Sequence, residues 1–231
     1  MIKVVLFDFM GTCLDWHTSI IQALPASLSD DKKSTFALHY RQAYFDFNAK
    51  RLSEGQAVLD FDETQRRVLD SYLVQHSDTK HLFSSDVKAQ LIAAWHHQSA
   101  WPEVSVALQR LKDNGLEIYV YANGSTRLQL DLVKFAGLRF DMLFSSELLG
   151  CYKPAPESYA KVMRLLQVEP EECVMVAAHA YDLRGAKAAG MKTVYIYRWT
   201  DDIREDQEIV REENDAYLLD MRDLSRVVAA L

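Results

Sequence analysis

The sequence is poor in the residues that mark disordered, fibrous and disulfide-bonded proteins. Its 231 residues include 8 Gly and 5 Pro, too few for a collagen-like or low-complexity chain. Its three cysteines are an odd number at scattered positions, so we predict neither a disulfide framework nor a paired-cysteine redox motif. The chain is long enough for one domain with a sizeable core, or for a core domain with a smaller insert.

Long apolar runs and an excess of basic residues are also absent. No run approaches the ~18 residues that a transmembrane helix needs, and Asp8 comes too early for the apolar part of a signal peptide. Lys and Arg total 26 against 33 Asp and Glu, a formal charge of −7, whereas nucleic-acid binding needs clustered basic residues. We therefore expect a cytoplasmic protein that binds neither membranes nor nucleic acid.

Short apolar segments separated by helical patterns are typical of an α/β protein. Apolar runs rich in β-branched and aromatic residues predict buried strands at 2–7, 116–121, 173–178 and 192–197. Amphipathic patterns predict helices at about 104–114, 126–135, 156–166 and 183–189. Because strands alternate with helices, we predict a doubly wound parallel sheet.

One segment, 15–99, interrupts this alternation. It has several helical patterns and no convincing strand. We predict an all-helical insert at 15–99 after the first strand, with residues 1–14 and 100–231 forming the α/β core domain. The charge-rich stretch 200–215 is predicted to be a solvated loop or helix without a functional role, and residues 220–231 are predicted to form a closing helix.

Polar residues at or just after three of the predicted strands indicate where a ligand would bind. They are Asp8, Asn123 and Asp182. Ligands of open parallel sheets bind at the carboxyl ends of the strands, so we expect these side chains to converge. Gly11 and Thr12 predict a tight turn after Asp8, whose backbone N–H groups can hold an anion. Taken alone, Asp8 could equally cap this turn.

Four short motifs, in this order, resemble those of the haloacid dehalogenase superfamily of hydrolases. They are Asp8-Phe9-Met10-Gly11-Thr12, Asn123-Gly124-Ser125, Lys153-Pro154 and Asp182. The resemblance implies a Rossmann-like hydrolase core in which the helical insert is a cap domain. It also implies that Asp8 is a nucleophile that forms a covalent intermediate, that Thr12 and Lys153 orient and stabilise it, and that Asp182 serves its hydrolysis or a metal.

Two positions favour one branch of this superfamily. Its phosphatases place a proton-donating Asp two residues after the nucleophile and a Mg²⁺-binding carboxylate four residues before Asp182. This chain has Met10 and Ala178 there. A halide leaves without a proton and a carbon electrophile needs no metal, so both residues favour carbon–halogen cleavage. We predict no cofactor, with weak Mg²⁺ binding through Asp8 and Asp182 left open.

The segments around Arg41, Tyr159 and His179 resemble those of the L-2-haloacid dehalogenase subgroup. The predicted reaction converts short (S)-2-haloalkanoic acids, the small carboxylate substrates, into 2-hydroxy acids through an Asp8 ester. The resemblance implies that Arg41 binds the substrate carboxylate and that Asp182 activates water, with His179 as a relay because its ordinary pKa of ~6.5 suits a base. The implied catalytic residues are Asp8, Thr12, Lys153, Asp182 and His179, and the implied substrate-binding residues are Phe9, Met10, Arg41, Asn123 and Tyr159.

Three residues depart from this subgroup, which usually carries Ser or Thr where this chain has Ala122 and often carries Ser and Asn where it has Ala177 and His179. These departures leave two alternatives open. One is a Mg²⁺-dependent phosphatase or phosphonate-type hydrolase of the same superfamily, and the other is a catalytically silent protein that binds a small acid. A homodimer is also left open, because related dehalogenases are often dimers.

Overall fold

A computed structural model of the chain describes residues 1–56, 59–76 and 79–231. Their contacts divide the chain into a core unit, residues 1–15 and 99–231, and a helical unit, residues 16–98. The strands in chain order are β1 (Val4–Phe7), β2 (Leu14–Asp15), β3 (Ser99–Ala100), β4 (Glu117–Ala122), β5 (Met142–Ser145), β6 (Cys173–Ala177), β7 (Lys192–Ile196) and β8 (Ala216–Leu218). The α-helices are α1 (Trp16–Ala23), α2 (Asp30–Ser53), α3 (Phe61–Gln75), α4 (Ser85–Ala94), α5 (Val104–Asp113), α6 (Thr126–Ala136), α7 (Ser146–Leu149), α8 (Pro156–Leu166), α9 (Ala180–Ala188), α10 (Gln207–Glu213) and α11 (Leu224–Val228).

Strand β1 lies inside a six-stranded parallel sheet of order β5-β4-β1-β6-β7-β8. Phe7, its last residue, lies opposite Val120 of β4 and Val176 of β6. All four residues of β1 are buried, which explains why the strand is a continuous apolar run instead of an alternating one. The predicted α/β fold with a doubly wound parallel sheet is confirmed.

The order of the strands fixes where a ligand can enter this sheet. From β1 the chain passes to β4 and β5 on one side, and then crosses to β6, β7 and β8 on the other. In doubly wound sheets, ligands bind at such a reversal, beyond the carboxyl ends of the strands. The residues that follow β1, β4 and β6 therefore meet at one edge.

Two strands of the main sheet and the last helix differ from the sequence-based expectation. Strands β5 and β8 were not predicted, because they are runs of four and three residues and so short a run carries no clear periodicity. The helix expected over 220–231 is reduced to α11. The Asp220 carboxylate accepts a hydrogen bond from the Arg222 backbone N–H (2.8 Å), which makes a turn where the helix was expected to begin.

The helical unit is built around aromatic side chains. Phe36 of α2 lies 4.9 Å from the ring of Tyr72 and 5.2 Å from that of Phe83, centroid to centroid. The Tyr40 hydroxyl donates to the Gln65 carbonyl (2.9 Å), which ties α2 to α3. Within the described part of the chain, no helix combines the length and the apolar character that crossing a membrane requires.

Candidate active site

The loop after β1 places Asp8 at the carboxyl edge of the sheet. The Asp8 backbone N–H donates to the Val176 carbonyl of β6 (3.0 Å), so the residue is still held like a strand residue. The chain then turns sharply, and the Cys13 N–H returns to the Phe9 carbonyl (2.9 Å). The Asp8 side chain is buried, which makes its charge costly unless partners compensate it.

Thr12 is one such partner. Its hydroxyl donates to Asp8 Oδ2 (2.8 Å) and accepts a hydrogen bond from the Ala178 backbone N–H (2.9 Å). Because the hydroxyl oxygen already accepts from Ala178, its proton is directed at the carboxylate. Thr12 therefore fixes the rotamer of Asp8 and satisfies one of its oxygens.

Lys153 supplies the positive charge. Its ammonium group lies 3.1 Å from Asp8 Oδ1, donates to the Tyr121 carbonyl (2.7 Å) and forms a very short contact with Asp182 Oδ2. The side chain is fully buried. Asn123 holds the backbone of Lys153 from both sides, because its amide accepts from the Lys153 N–H and donates to the Lys153 carbonyl, each at 2.9 Å. The side chain of Asn123 thus positions the lysine.

Asp182 lies in the first turn of α9 and is fully buried. Its Oδ1 accepts a hydrogen bond from the Tyr159 hydroxyl (2.7 Å), and the same hydroxyl lies 3.0 Å from the Asp182 carbonyl. Gly185 makes this approach possible, because a Cβ there would lie 2.6 Å from the Tyr159 hydroxyl. The structure therefore places Tyr159 as the residue that positions Asp182, which differs from the substrate-binding role we predicted for it.

The electrostatics of this cluster keep Asp8 ionised. Burial alone would raise the pKa of Asp8, but the nearby charges of Lys153 and His179 and the hydrogen bond from Thr12 outweigh it and lower the pKa. Burial would lower the pKa of Lys153, but Asp182 and Asp8 raise it. Burial and the charge of Asp8 raise the pKa of Asp182 in spite of Lys153. The site thus combines an ionised Asp8 with a more basic Asp182.

His179 lies beside Asp8 in a setting that the sequence did not predict. Its Nε2 lies 3.7 Å from both Asp8 Oδ2 and Asp201 Oδ1, and its Nδ1 lies 3.4 Å from Asp202 Oδ1. The predicted solvated nature of 200–215 is wrong at its start, because Asp201 is 4% exposed and the Thr200 hydroxyl donates to its Oδ2 (2.7 Å). Their position in the sequence could have indicated this role, because two adjacent carboxylates that closely follow β7 lie at the same edge of the sheet as Asp8.

The loop that carries Asp8 is also held by Arg198, which we did not predict. Its guanidinium donates twice to the Thr12 carbonyl (3.2 and 3.1 Å) and once to Glu103 Oε1 (2.7 Å). Trp101, whose ring lies 4.8 Å from the guanidinium, donates from its indole N–H to the Gly11 carbonyl (2.8 Å). These bonds fix two successive carbonyl groups of the loop that carries Asp8.

We expect Gly11→Ala to destabilise the protein by about 1–3 kcal/mol more than Gly115→Ala. Both glycines have a positive φ, 86° and 78°, where an alanine costs about 1–2 kcal/mol. A Cβ on Gly11 would also lie 2.5 Å from Asp201 Oδ1, whereas nothing lies within 4 Å of one on Gly115. Urea unfolding of the two variants measures the difference, and equal losses would contradict a tight fit between Gly11 and Asp201.

Arg41 belongs to the helical unit, where it is buried among aromatic rings. Its guanidinium carbon lies 4.7 Å from the ring centroid of Phe45 and 5.5 Å from those of Trp16 and Trp95. The Nε and Nη1 atoms have no hydrogen-bond partner among the described residues. A buried cation with unused donors is costly, which makes this guanidinium suited to binding an anion.

The carboxylates considered as Mg²⁺ ligands already contact a positively charged side chain. The described residues contain no group of three or more side chains that could hold a metal ion. Asp8 and Asp182, the two ligands considered from the sequence, both face the ammonium group of Lys153. A second cation between them would be repelled by that charge.

The remaining predicted substrate-binding residues lie on the same loop as Asp8. Phe9 is buried, and its ring packs edge-on against Phe140 with centroids 5.7 Å apart. Met10 is partly exposed and follows it directly. The structure thus brings Phe9, Met10, Asn123 and the predicted catalytic residues to one edge of the core unit.

Known proteins with a similar sequence include dehalogenases and phosphatases. An (S)-2-haloacid dehalogenase of Pseudomonas sp. (strain CBS-3) is 28% identical over 200 residues, which cover 85% of this chain and 85% of that protein. A phosphoglycolate phosphatase of Aquifex aeolicus (strain VF5) is 26% identical over 196 residues, covering 83% of each. Sequence similarity alone therefore leaves both activities in view.

Similarity of structure points to the same group of proteins. The crystal structure of an L-2-haloacid dehalogenase matches with a TM-score of 0.83 and 30% sequence identity, and the match covers 100% of both chains. A family model described as haloacid dehalogenase-like hydrolase matches residues 2–190, the span that carries Asp8, Lys153 and Asp182. Because this model matches most of the chain's length, including its motifs, the chain belongs to the haloacid dehalogenase-like hydrolase family.

Proposed function

We propose that the protein hydrolyses short (S)-2-haloalkanoic acids to 2-hydroxy acids through an ester on Asp8, without a metal ion. One observation carries the proposal: an ionised carboxylate is held by a buried lysine in a site with no proton donor at Met10 and no metal-binding carboxylate at Ala178. Such a carboxylate is a nucleophile suited to an electrophile whose leaving group departs as a stable anion. The dehalogenase relatives support the same substrate class.

The first half-reaction needs only the nucleophile and a place for negative charge. A carboxylate oxygen of Asp8 attacks C2 of the substrate, the carbon–halogen bond breaks, and the halide leaves with the bonding electrons. The negative charge of Asp8 moves to the halide in this step. Lys153 and Thr12 hold the carboxylate in one orientation beforehand, so little reorganisation is needed at the moment of attack.

The second half-reaction releases the product. A water oxygen attacks Cγ of Asp8, and Asp182, whose pKa is raised by burial and by the charge of Asp8, accepts a proton from that water. The bond between Cγ and the ester oxygen then breaks, and the proton passes to the departing oxygen, which gives the 2-hydroxy acid. Asp8 loses the second water proton as it becomes a carboxylate again.

Arg41 is the residue that we propose for recognition of the substrate anion. Its Nε and Nη1 are buried and lack hydrogen-bond partners among the described residues. A guanidinium can donate two parallel hydrogen bonds to a carboxylate. An alkyl halide that lacks a carboxylate cannot accept them. This contact would compensate for Ala122, which lacks the hydroxyl that the dehalogenase subgroup usually carries there.

A phosphatase is the second candidate, because a phosphoglycolate phosphatase is 26% identical to this chain. The charges at the site disfavour it. A phosphate ester brings up to two negative charges, and without a metal ion only nearby cations can offset them. The described charged groups of this cluster are mainly carboxylates: Asp8 with Asp182, Asp201 and Asp202, against the cations Lys153 and His179.

The experiment that tests the proposal compares two substrates under two conditions. We expect halide release from (S)-2-chloropropionate in the presence of excess EDTA, at the same rate as with added Mg²⁺. Phosphate release from phosphoglycolate should stay at the background level in both conditions. Halide at background together with Mg²⁺-dependent phosphate release would replace our proposal by the phosphatase, and neither product would favour a silent binding protein.

A further inference from the structure

His179 has a carboxylate oxygen near each of its ring nitrogens. Nδ1 faces Asp202 at 3.4 Å, and Nε2 faces Asp8 and Asp201 at 3.7 Å each. A neutral imidazole has one nitrogen that only accepts, and that nitrogen would point its lone pair at a carboxylate. The arrangement is attractive on both sides only if both nitrogens carry a proton. The geometry therefore favours the imidazolium form.

The two aspartates around the ring are themselves held in place. Asp202 Oδ2 accepts a hydrogen bond from the Ala180 backbone N–H (2.6 Å) and lies 3.4 Å from the Tyr195 hydroxyl. Asp201 is fixed by Thr200 and by its close approach to Gly11. Three carboxylates from two segments, Asp8 after β1 and Asp201 and Asp202 after β7, thus surround the His179 ring, which is 3% exposed.

The groups around the ring raise the pKa of His179. Burial would lower it, but the hydrogen bond that the ring donates to Asp202 and the charges of Asp8, Asp201 and Asp202 raise it to about 9. Tyr181 stacks on the ring with centroids 5.8 Å apart, and Lys153 and Asp182 lie on the far side of Asp8. A protonated ring cannot accept a proton near neutral pH, so these surroundings favour a role for His179 other than the predicted one of a base.

We propose that His179 acts as a fixed cation that stabilises the negative charge formed on Asp8 Oδ2 when water attacks the ester, with Asp201 and Asp202 as its positioning residues. This inference rests on the proposed function, since it concerns the hydrolysis of the ester on Asp8. Because Oδ2 already accepts the Thr12 hydrogen bond and faces His179, we assign the attack to Oδ1, so that Oδ2 becomes the carbonyl oxygen of the ester. Thr12 and His179 then both face this carbonyl oxygen.

The flow of charge explains why the effect belongs to the second half-reaction. During alkylation, negative charge leaves Asp8 for the halide, so a cation at Oδ2 stabilises the starting carboxylate more than the transition state. During hydrolysis, water adds to Cγ and the electron pair of the carbonyl bond moves to Oδ2. A cation next to Oδ2 then stabilises the transition state specifically. The same residue therefore slows the first step slightly and accelerates the second.

The experiment measures the two half-reactions separately in His179→Gln, with (S)-2-chloropropionate in excess over enzyme. Gln keeps a polar side chain but carries no charge, and it is not the Asn that the dehalogenase subgroup often carries at this position. We expect a burst of about one halide per active site, followed by slow turnover, because ester hydrolysis falls about 10²-fold. Mass spectrometry of intact protein should show the ester adduct accumulating. The exposed His81→Gln is the matched control and should show neither the burst nor the adduct.

Asp202→Asn gives a second, independent variant, because it keeps His179 and removes the carboxylate at Nδ1. We expect a smaller burst of the same kind, since the ring loses part of what keeps it charged and oriented. Both rates are normalised to the burst amplitude, so incomplete folding of a variant does not change their ratio.

Three outcomes distinguish the inference from the function on which it rests. Wild-type protein that releases no halide overturns the proposed function. Wild-type turnover with a uniform loss of both half-reactions in His179→Gln, and no adduct, overturns the role of His179 alone. Turnover of His179→Gln at the wild-type rate overturns it as well.

Discussion

Asp8→Asn is expected to lower the rate of halide release at least about 10⁴-fold, which is the scale of effect seen when a catalytic nucleophile is removed. An amide oxygen is neutral and a much weaker nucleophile than a carboxylate. The change also removes the negative charge that faces Lys153 at 3.1 Å and His179 at 3.7 Å. The initial rate of halide release, measured with EDTA present, gives the result directly.

A matched control separates chemistry from folding in this experiment. Asp113→Asn changes an exposed aspartate of α5 in the core unit and should leave the rate of halide release unchanged. Circular dichroism should show both variants folded, because Asn can still accept the Thr12 hydrogen bond. Halide release by Asp8→Asn above one-hundredth of the wild-type rate would show that another group attacks the substrate.

Lys153→Met is expected to lower the free energy of unfolding by about 3–5 kcal/mol at neutral pH, the usual result of leaving buried charges without their partner. The lysine contacts both Asp8 and Asp182, and neither its own side chain nor that of Asp182 is exposed. Met has a similar length and apolar stem, so the loss reflects charge more than volume. Urea unfolding at pH 7.5 measures the effect, and halide release should be lost in the same variant.

The dependence on pH tests the cause of this destabilisation. Without the ammonium group, burial raises the folded-state pKa of both carboxyl groups above their unfolded values. The folded state then favours the protonated acids, so the variant is destabilised least in acid and most once the pH exceeds those raised pKa values. Lys112→Met removes a surface lysine whose partner, Asp141, is 40% exposed. This control should lower the free energy of unfolding by about 1 kcal/mol or less. A loss in Lys153→Met that does not change with pH would contradict this account.

The central strands can be predicted from the sequence because the pattern that indicates each strand lies within its own segment. The β1, β4, β6 and β7 runs are apolar enough to indicate strands that are covered on both faces. Gly137 ends α6 with a φ of 67°, a conformation that glycine adopts readily at the end of a helix. β5 and β8 lie at the edges of the sheet, where a few residues suffice for pairing and leave little pattern in the sequence.

The site shows the same division between local and distant information. Asp8 and Thr12 share one turn, and Lys153 and Asp182 are identifiable because they recur in a family pattern. Asp201 and Asp202 were read as surface charges, since nothing in their own segment shows that His179 lies against them. The charge of His179 depends on those two residues, so its state could not be derived before the fold was known.

The position of β1 in the sheet has a consequence for the order in which the protein is made. Residues 16–98 are continuous in sequence, whereas β1 pairs with strands that begin at Glu117 and Cys173. Asp8 and Lys153 are 145 residues apart, and the Arg198 support of the Thr12 carbonyl spans 186. At roughly 5–20 residues per second, a ribosome needs roughly ten to forty seconds to supply these partners. During that time the nascent chain carries an unpaired apolar strand and an unneutralised carboxylate, so the site around Asp8 is assembled only after Arg198 has been synthesised.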